Sequence, residues 1–367
     1  MRQLIKILSF LMTIVIISCE KTIEFNGEET KQKIVLYSNL QPDSIITCQI
    51  GLSYAIFEAQ YTPSQIRNAD VKLYIDNIFI ESLSYTAPPV SDPNLYNDVQ
   101  YFSNYESSSQ VPESLTNYKI EVAIPGYQSI YSSALLPELV NITNIDTQLI
   151  VEKFDEYDYG MEPEWIYEKR ILKTKISFTD PPNEENFYRL VVQQDYGFYK
   201  GDKSLPYNSE TPVLLTYNSY AWIDSEDPLL NPDEEEDILG DNTGNDYNVF
   251  SDEKISGKDY ELSFDLNFNG TYVDTTYHEF THFTIQLQSI SKELYYYLIS
   301  YSNHKNRDGD FFSEPFLVYT NVENGLGVFG AFNSTGRSIK FGEYPKENVY
   351  YEDNNDYIRG FYDYYPK

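Results

Sequence analysis

The segment His278-Glu279-Phe280-Thr281-His282 has the H-E-x-x-H spacing of zinc peptidases, in which two histidines one helical turn apart bind the metal and the glutamate serves as base. That chemistry requires a helix. Here Tyr277, Phe283, Ile285 and Leu287 alternate with His278, Phe280, His282, Thr284, Gln286 and Gln288, and the threonines at 275, 276, 281 and 284 favour extended backbone. The alternation predicts a strand. On a strand the two histidines stand about 13 Å apart, too far to share one zinc. The pattern reads as a chance match, and a zinc-dependent hydrolase is the least favoured function. Two acidic loops, 241–246 and 306–310, place Asp241, Asp246, Asp308 and Asp310 near glycine, as calcium sites do. Neither has the EF-hand register, since aligning Gly309 with the loop glycine puts His304 first and Pro315 last. Both read as solvated turns, and no metal, cofactor or catalytic residue is expected. Cys48, in the alternating run Ser44 to Ile50, has no histidine and acid beside it and reads as a packed or half-exposed strand residue.

A different chemistry is written at the start of the chain. Arg2 and Lys6 precede the apolar run Ile7 to Ile17, which is too short for a bilayer span of about 20 residues and has the length of a secretory signal. Ile16-Ile17-Ser18-Cys19 resembles a bacterial lipobox. Residues 1–18 are therefore expected to be a lipoprotein signal peptide, Cys19 the lipidated residue and 19–32 a polar tether. Loss of 1–18 would leave Cys48 as the one cysteine besides the anchor, so no intrachain disulfide is expected.

The bulk composition bounds what this anchor could carry. Among 367 residues, 57 acidic side chains face 26 basic ones, a net charge of −31. Such a chain repels polyanions, and no basic patch interrupts it, so nucleic acid is excluded as a partner. Aromatics make up 16% of the chain, with 36 Tyr and 21 Phe, far more than a disordered acidic chain contains.

Strands must position whatever function there is. Short β-branched and aromatic runs at 33–38, 45–50, 71–75, 79–83 and 118–124, separated by turn signals, predict an N-terminal Ig-like β-sandwich over 33–140. Runs at 171–178, 187–194, 260–266, 277–288 and 315–320 predict a second β-rich domain over 141–349, with an acidic loop at 224–246. Ser291 as cap, Glu293 in the first turn and Leu294, Tyr297, Leu298 and Tyr301 at helical spacing predict one short helix over 292–302. Phe316 to Tyr319 and Val328-Phe329, joined through Asn324-Gly325-Leu326-Gly327, predict a hairpin. Residues 350–367 form a Tyr- and Asp-rich tail. The fold expected is mainly β: two β-sandwich-like domains with one short helix in the second. Tyr295-Tyr296-Tyr297 cannot all face inward, so exposed Tyr surface, suited to an interface, is also expected.

The segments together resemble a large family of Bacteroidota surface lipoproteins of unknown function whose genes neighbour TonB-dependent outer-membrane receptors. The likeness rests on Cys19 to Phe25, Leu40 to Ser44, Ile66 to Tyr74, Pro125-Gly126-Tyr127, Phe178-Thr179-Asp180-Pro181, Asn186 to Leu190, Phe250 to Glu253, Ser289 to Tyr297 and, most specifically, Phe312 to Ala331. It implies an outer-membrane lipoprotein, anchored at the cell surface, that serves as a non-catalytic accessory subunit of a TonB-dependent β-barrel receptor in capturing or gating an unidentified ligand. It supplies no catalytic residues. A surface adhesin or envelope-assembly component is the alternative. Members also resemble substrates of O-glycosylation at Asp-Ser/Thr sites, a pattern met at Ser44 and Thr275.

Overall fold

The computed structural model describes residues 31–42, 44–54, 65–87, 102–154, 166–200, 215–231, 245–272, 277–307 and 317–342. The first half holds β1 (Ile34–Leu40), β2 (Thr47–Leu52), β3 (Asp70–Ile75), β4 (Ile78–Ser82), β5 (Ser84–Thr86), β6 (Ser103–Glu106), β7 (Asn117–Ala123), β8 (Ile130–Leu135) and β9 (Asn144–Phe154). The second holds β10 (Ile166–Thr179), β11 (Phe187–Lys200), β12 (Leu215–Tyr220), β13 (Ile223–Asp224), β14 (Val249–Ser251), β15 (Asp259–Tyr272), β16 (Tyr277–Ile290), α1 (Lys292–Arg307) and β17 (Leu326–Gly342). The protein is mainly β, with a single helix among the described residues.

Strands from both halves share one nine-stranded sheet, in the order β12-β11-β16-β17-β1-β2-β6-β5 with β14 paired to β11. Two four-stranded sheets, β4-β3-β7-β8 and β13-β15-β10-β9, complete the fold. The joint is β17. Its first residues, Leu326 to Ala331, pair in parallel with β1, and its remainder, Phe332 to Gly342, pairs antiparallel with β16.

Period-two alternation along β17 explains how the layers stack. Phe329 and Ala331 enter a first core with Leu36, Ile50, Leu73 and Ile120, so β4-β3-β7-β8 covers that end of the large sheet. Ile339 and Phe341, on the same face, pack against a second core containing Leu172, Phe264, Leu190 and Phe283, under β13-β15-β10-β9. Along the chain, core membership changes between Leu136 and Val140. Asn333 lies between the two cores, its amide donating to Ser114 Oγ at 2.8 Å and to the Pro137 carbonyl. The opposite face of β17 presents Val328 and Phe332 to α1, in a third core with Leu294, Tyr297 and Leu298.

The helix starts where the sequence predicts. Ser291 Oγ accepts from Leu294 N at 3.3 Å, and Glu293 stands in the first turn. It runs on to Arg307, beyond the expected 302, because Ser302 to Arg307 carry no apolar stripe to reveal them. The hairpin expected across 316–329 does not form: residues 317–322 are not a strand. Asn321 instead pairs its side chain with Phe329, accepting from its N–H at 3.0 Å and donating to its carbonyl at 2.8 Å. Tyr319 N donates to Ser300 Oγ of α1 at 2.8 Å, so this segment straps the helix to β17.

Gly327 is where β1 and β17 come closest. It has φ +101°, and a Cβ there would lie 2.0 Å from the Leu36 carbonyl oxygen. Gly126 also has positive φ, at +90°, yet a Cβ there meets nothing within 4 Å. Gly126→Ala should therefore cost about 1–2 kcal/mol in urea denaturation, the left-handed strain alone, and Gly327→Ala clearly more.

Candidate functional site

Cys19, Asp241, Thr275, Asp308, Asp310 and the 350–367 tail lie outside the described residues. The backbone of His278, Glu279 and His282 is in strand β16, so the geometry that lets histidines four apart converge on one metal is not available to this pattern. His282 instead faces Asp195 across the strands, with Nδ1 to Oδ2 at 3.5 Å. Among the described residues no three His, Cys, Asp or Glu side chains cluster as metal ligands, and Asp246 stands apart from any such group. Ser44 is half-buried, and its hydroxyl accepts from Gln41 Nε2 at 2.8 Å. Cys48 is buried, and burial pushes its thiol up to about 12, well away from a reactive thiolate.

Several residues that carry the family likeness meet in a structural lock. Asp180 is fully buried and accepts from Tyr188 Oη at 2.5 Å and from Gly257 N at 2.8 Å. Asn186 donates to the Pro181 carbonyl at 3.3 Å, and burial raises the Asp252 carboxyl above its ordinary range. These contacts tie the ends of β10 and β11 to the loop before β15. The first part of the acidic loop is likewise core: Leu229 and Leu230 are buried, and Asp227 accepts from Leu229 N, Tyr260 Oη and Ser263 N.

The arrangement best suited to binding lies on the open face of the large sheet, beside α1. The register aligns Arg189 with Gln288 and Gln288 with Ser334 across β11, β16 and β17, and aligns Val191 with Gln286 one row on. Gln193 is paired with Tyr220 on the flanking strand. A cavity of about 140 Å³ lies over these rows. Five carboxamides line it, those of Asn39, Gln41, Gln193, Gln286 and Gln288. Its apolar wall is Leu294, Leu298, Val328 and Phe332, and Arg189 is its single charged lining residue. Arg189 Nε donates to the Tyr247 carbonyl at 3.3 Å and its guanidinium lies over the Tyr247 ring. In a chain of charge −31, no carboxylate among the described residues lines this cavity.

Gln288 is the unusual member. It is only 6% exposed, and its side-chain carbonyl oxygen has no hydrogen-bond partner among the described residues. A buried acceptor without a donor costs about 1–3 kcal/mol, so Gln288 Oε1 is a group in this cavity that a water or a ligand hydroxyl would stabilise. The sequence signal for it existed, since alternation already put Thr284, Gln286 and Gln288 on the polar face of one strand. What the sequence could not supply was that β1, β11 and β17 lie beside that face.

The protein is thus mainly β, with an amide-lined groove that carries one arginine on the outside of a shared sheet. The chain belongs to the family defined as a domain of unknown function, DUF4249, whose model matches residues 20–338. Comparison with curated proteins gives no match.

Two tyrosines, Tyr188 and Tyr260, are held against carboxylates and make the fold sensitive to high pH. Burial, followed by the Asp227 carboxylate, pushes the Tyr260 hydroxyl from 10.0 up to about 12, and burial, followed by Asp180, raises Tyr188 as well. A pKa raised on folding gives stability that is present below the unfolded value and is lost as pH climbs through the folded one. Urea midpoints should therefore fall between about pH 10 and 12. Tyr260→Phe should flatten that fall, because the residue no longer ionises.

Proposed function

We propose that this protein is a lipoprotein of the Bacteroidota outer membrane, anchored through Cys19 at the cell surface, and that it works as a non-catalytic accessory subunit of a TonB-dependent β-barrel receptor. The observation that carries the binding role is the groove around Gln288, lined by five carboxamides and an apolar wall, with the acceptor oxygen of Gln288 unpartnered among the described residues. The sequence of the anchor and the family likeness carry the location and the receptor.

A contact surface for such a partner stands near the same helix. Tyr296 is 40% exposed and its ring lies 5.7 Å from that of Tyr319, while Leu317 is 87% exposed. Tyr297, by contrast, is buried, so the three consecutive tyrosines divide between core and surface as their helical positions require. An exposed aromatic and aliphatic patch beside a binding groove suits docking against a larger protein.

Metabolic labelling with a fatty acid should mark the wild-type protein and fail to mark Cys19→Ala, which should leave the membrane fraction. Mild cross-linking of intact outer membranes should recover a β-barrel receptor with the wild-type chain. Reproducible recovery of the chain alone would refute the accessory role, and adhesion defects without uptake defects on deletion would favour an adhesin.

A further inference from the structure

We propose that the groove beside α1 binds one pyranose ring of a glycan, an inference that rests on the binding role above and names its ligand. Size sets the first limit. An apolar cavity of about 150 Å³ holds one benzene ring, and a pyranose with its hydroxyls has about twice as many heavy atoms, so this groove of about 140 Å³ takes one side of a single sugar ring and leaves the rest in solvent. Its lining decides what the ring must carry. A carboxamide offers both donors and an acceptor, and a hydroxyl is likewise donor and acceptor, so the carboxamides of Gln193, Gln286 and Gln288 match a ring bearing several hydroxyls. A benzene-like ligand would leave Gln288 Oε1 without a donor.

The orphan acceptor gives the orientation. Gln288 Oε1 is buried within the lining and lacks a donor among the described residues, and a sugar hydroxyl is a donor of the right kind. Leu294, Leu298 and Phe332 give the C–H face of the ring an apolar wall, and Tyr220, 38% exposed, gives it an aromatic edge.

Other ligand classes fit less well. A cation would find no carboxylate in the lining. An anion would have to compete for Arg189, which already donates to the Tyr247 carbonyl and lies over its ring. An extended peptide binds best by adding to a sheet edge, whereas here the backbones of β11, β16 and β17 are paired with one another beneath the groove. Only side chains face the ligand.

The test is calorimetric titration of the full chain, held in a zwitterionic detergent without sugar headgroups, with the methyl glycosides of glucose, galactose, mannose and N-acetylglucosamine, and with short peptides. At least one glycoside should bind saturably, and Gln288→Met should weaken it tenfold or more without lowering the urea midpoint. Tyr220→Ala, at a half-exposed position, should also weaken binding and serves if Gln288→Met fails to fold. Binding of peptides alone, no glycoside binding, or glycoside binding unchanged in both variants would overturn the assignment. Recovery of a receptor with a chain that binds no glycoside would remove the sugar and leave the accessory role standing.

Discussion

The parallel pairing of β1 with β17 holds the two halves of this protein together. Six residue pairs, from Val35 with Leu326 to Leu40 with Ala331, join segments almost 300 residues apart, and the close approach of Gly327 to the Leu36 carbonyl leaves no room for a side chain. Because the rest of β17 pairs with β16, one strand carries the large sheet from the first core to the second. Asn333 fastens the junction, and Asn321 satisfies Phe329 where no neighbouring backbone does. Everything on the open face follows from that strand. It brings Asn39 of β1, the glutamines of β16 and the wall of α1 to one place.

Local features were legible in the sequence, and non-local ones were not. The strand character of 277–288, the polar side of that strand and the cap at Ser291 all follow from spacing and residue type, and the structure has each of them, the strand running on to Ile290. The hairpin at 316–329 was misread for a physical reason. Its residues have strand propensity and a glycine-rich turn, but β17 finds its partners in β1 and β16, and the preceding segment is held by side chains instead. Long-range pairing overrides local propensity in such cases. The groove escaped notice for the same reason, since its carboxamides come from three strands far apart in the sequence, β1 with its end, β11 and β16.

The satisfied polar networks and the groove lie in different parts of the molecule. Asp180, Asp227, Tyr188 and Tyr260 form hydrogen-bonded polar networks that clamp loops to strands, which gives these conspicuous acidic and aromatic residues a structural part. Gln288 is the opposite case, a buried polar group whose acceptor oxygen the described fold leaves unmet. The large negative charge is sorted in the same way. Lys173 and Lys175 pair with Asp265 and Glu261 on the small sheet, while the groove keeps carboxylates out of its lining.

The most direct measurement is a crystal structure of the full chain grown with the glycoside it binds most tightly. The account predicts a single sugar ring over Gln286 and Gln288, with a ring hydroxyl donating to Gln288 Oε1 and the apolar ring face against α1. A groove filled by the chain's own residues, or a glycoside seated elsewhere, would contradict it.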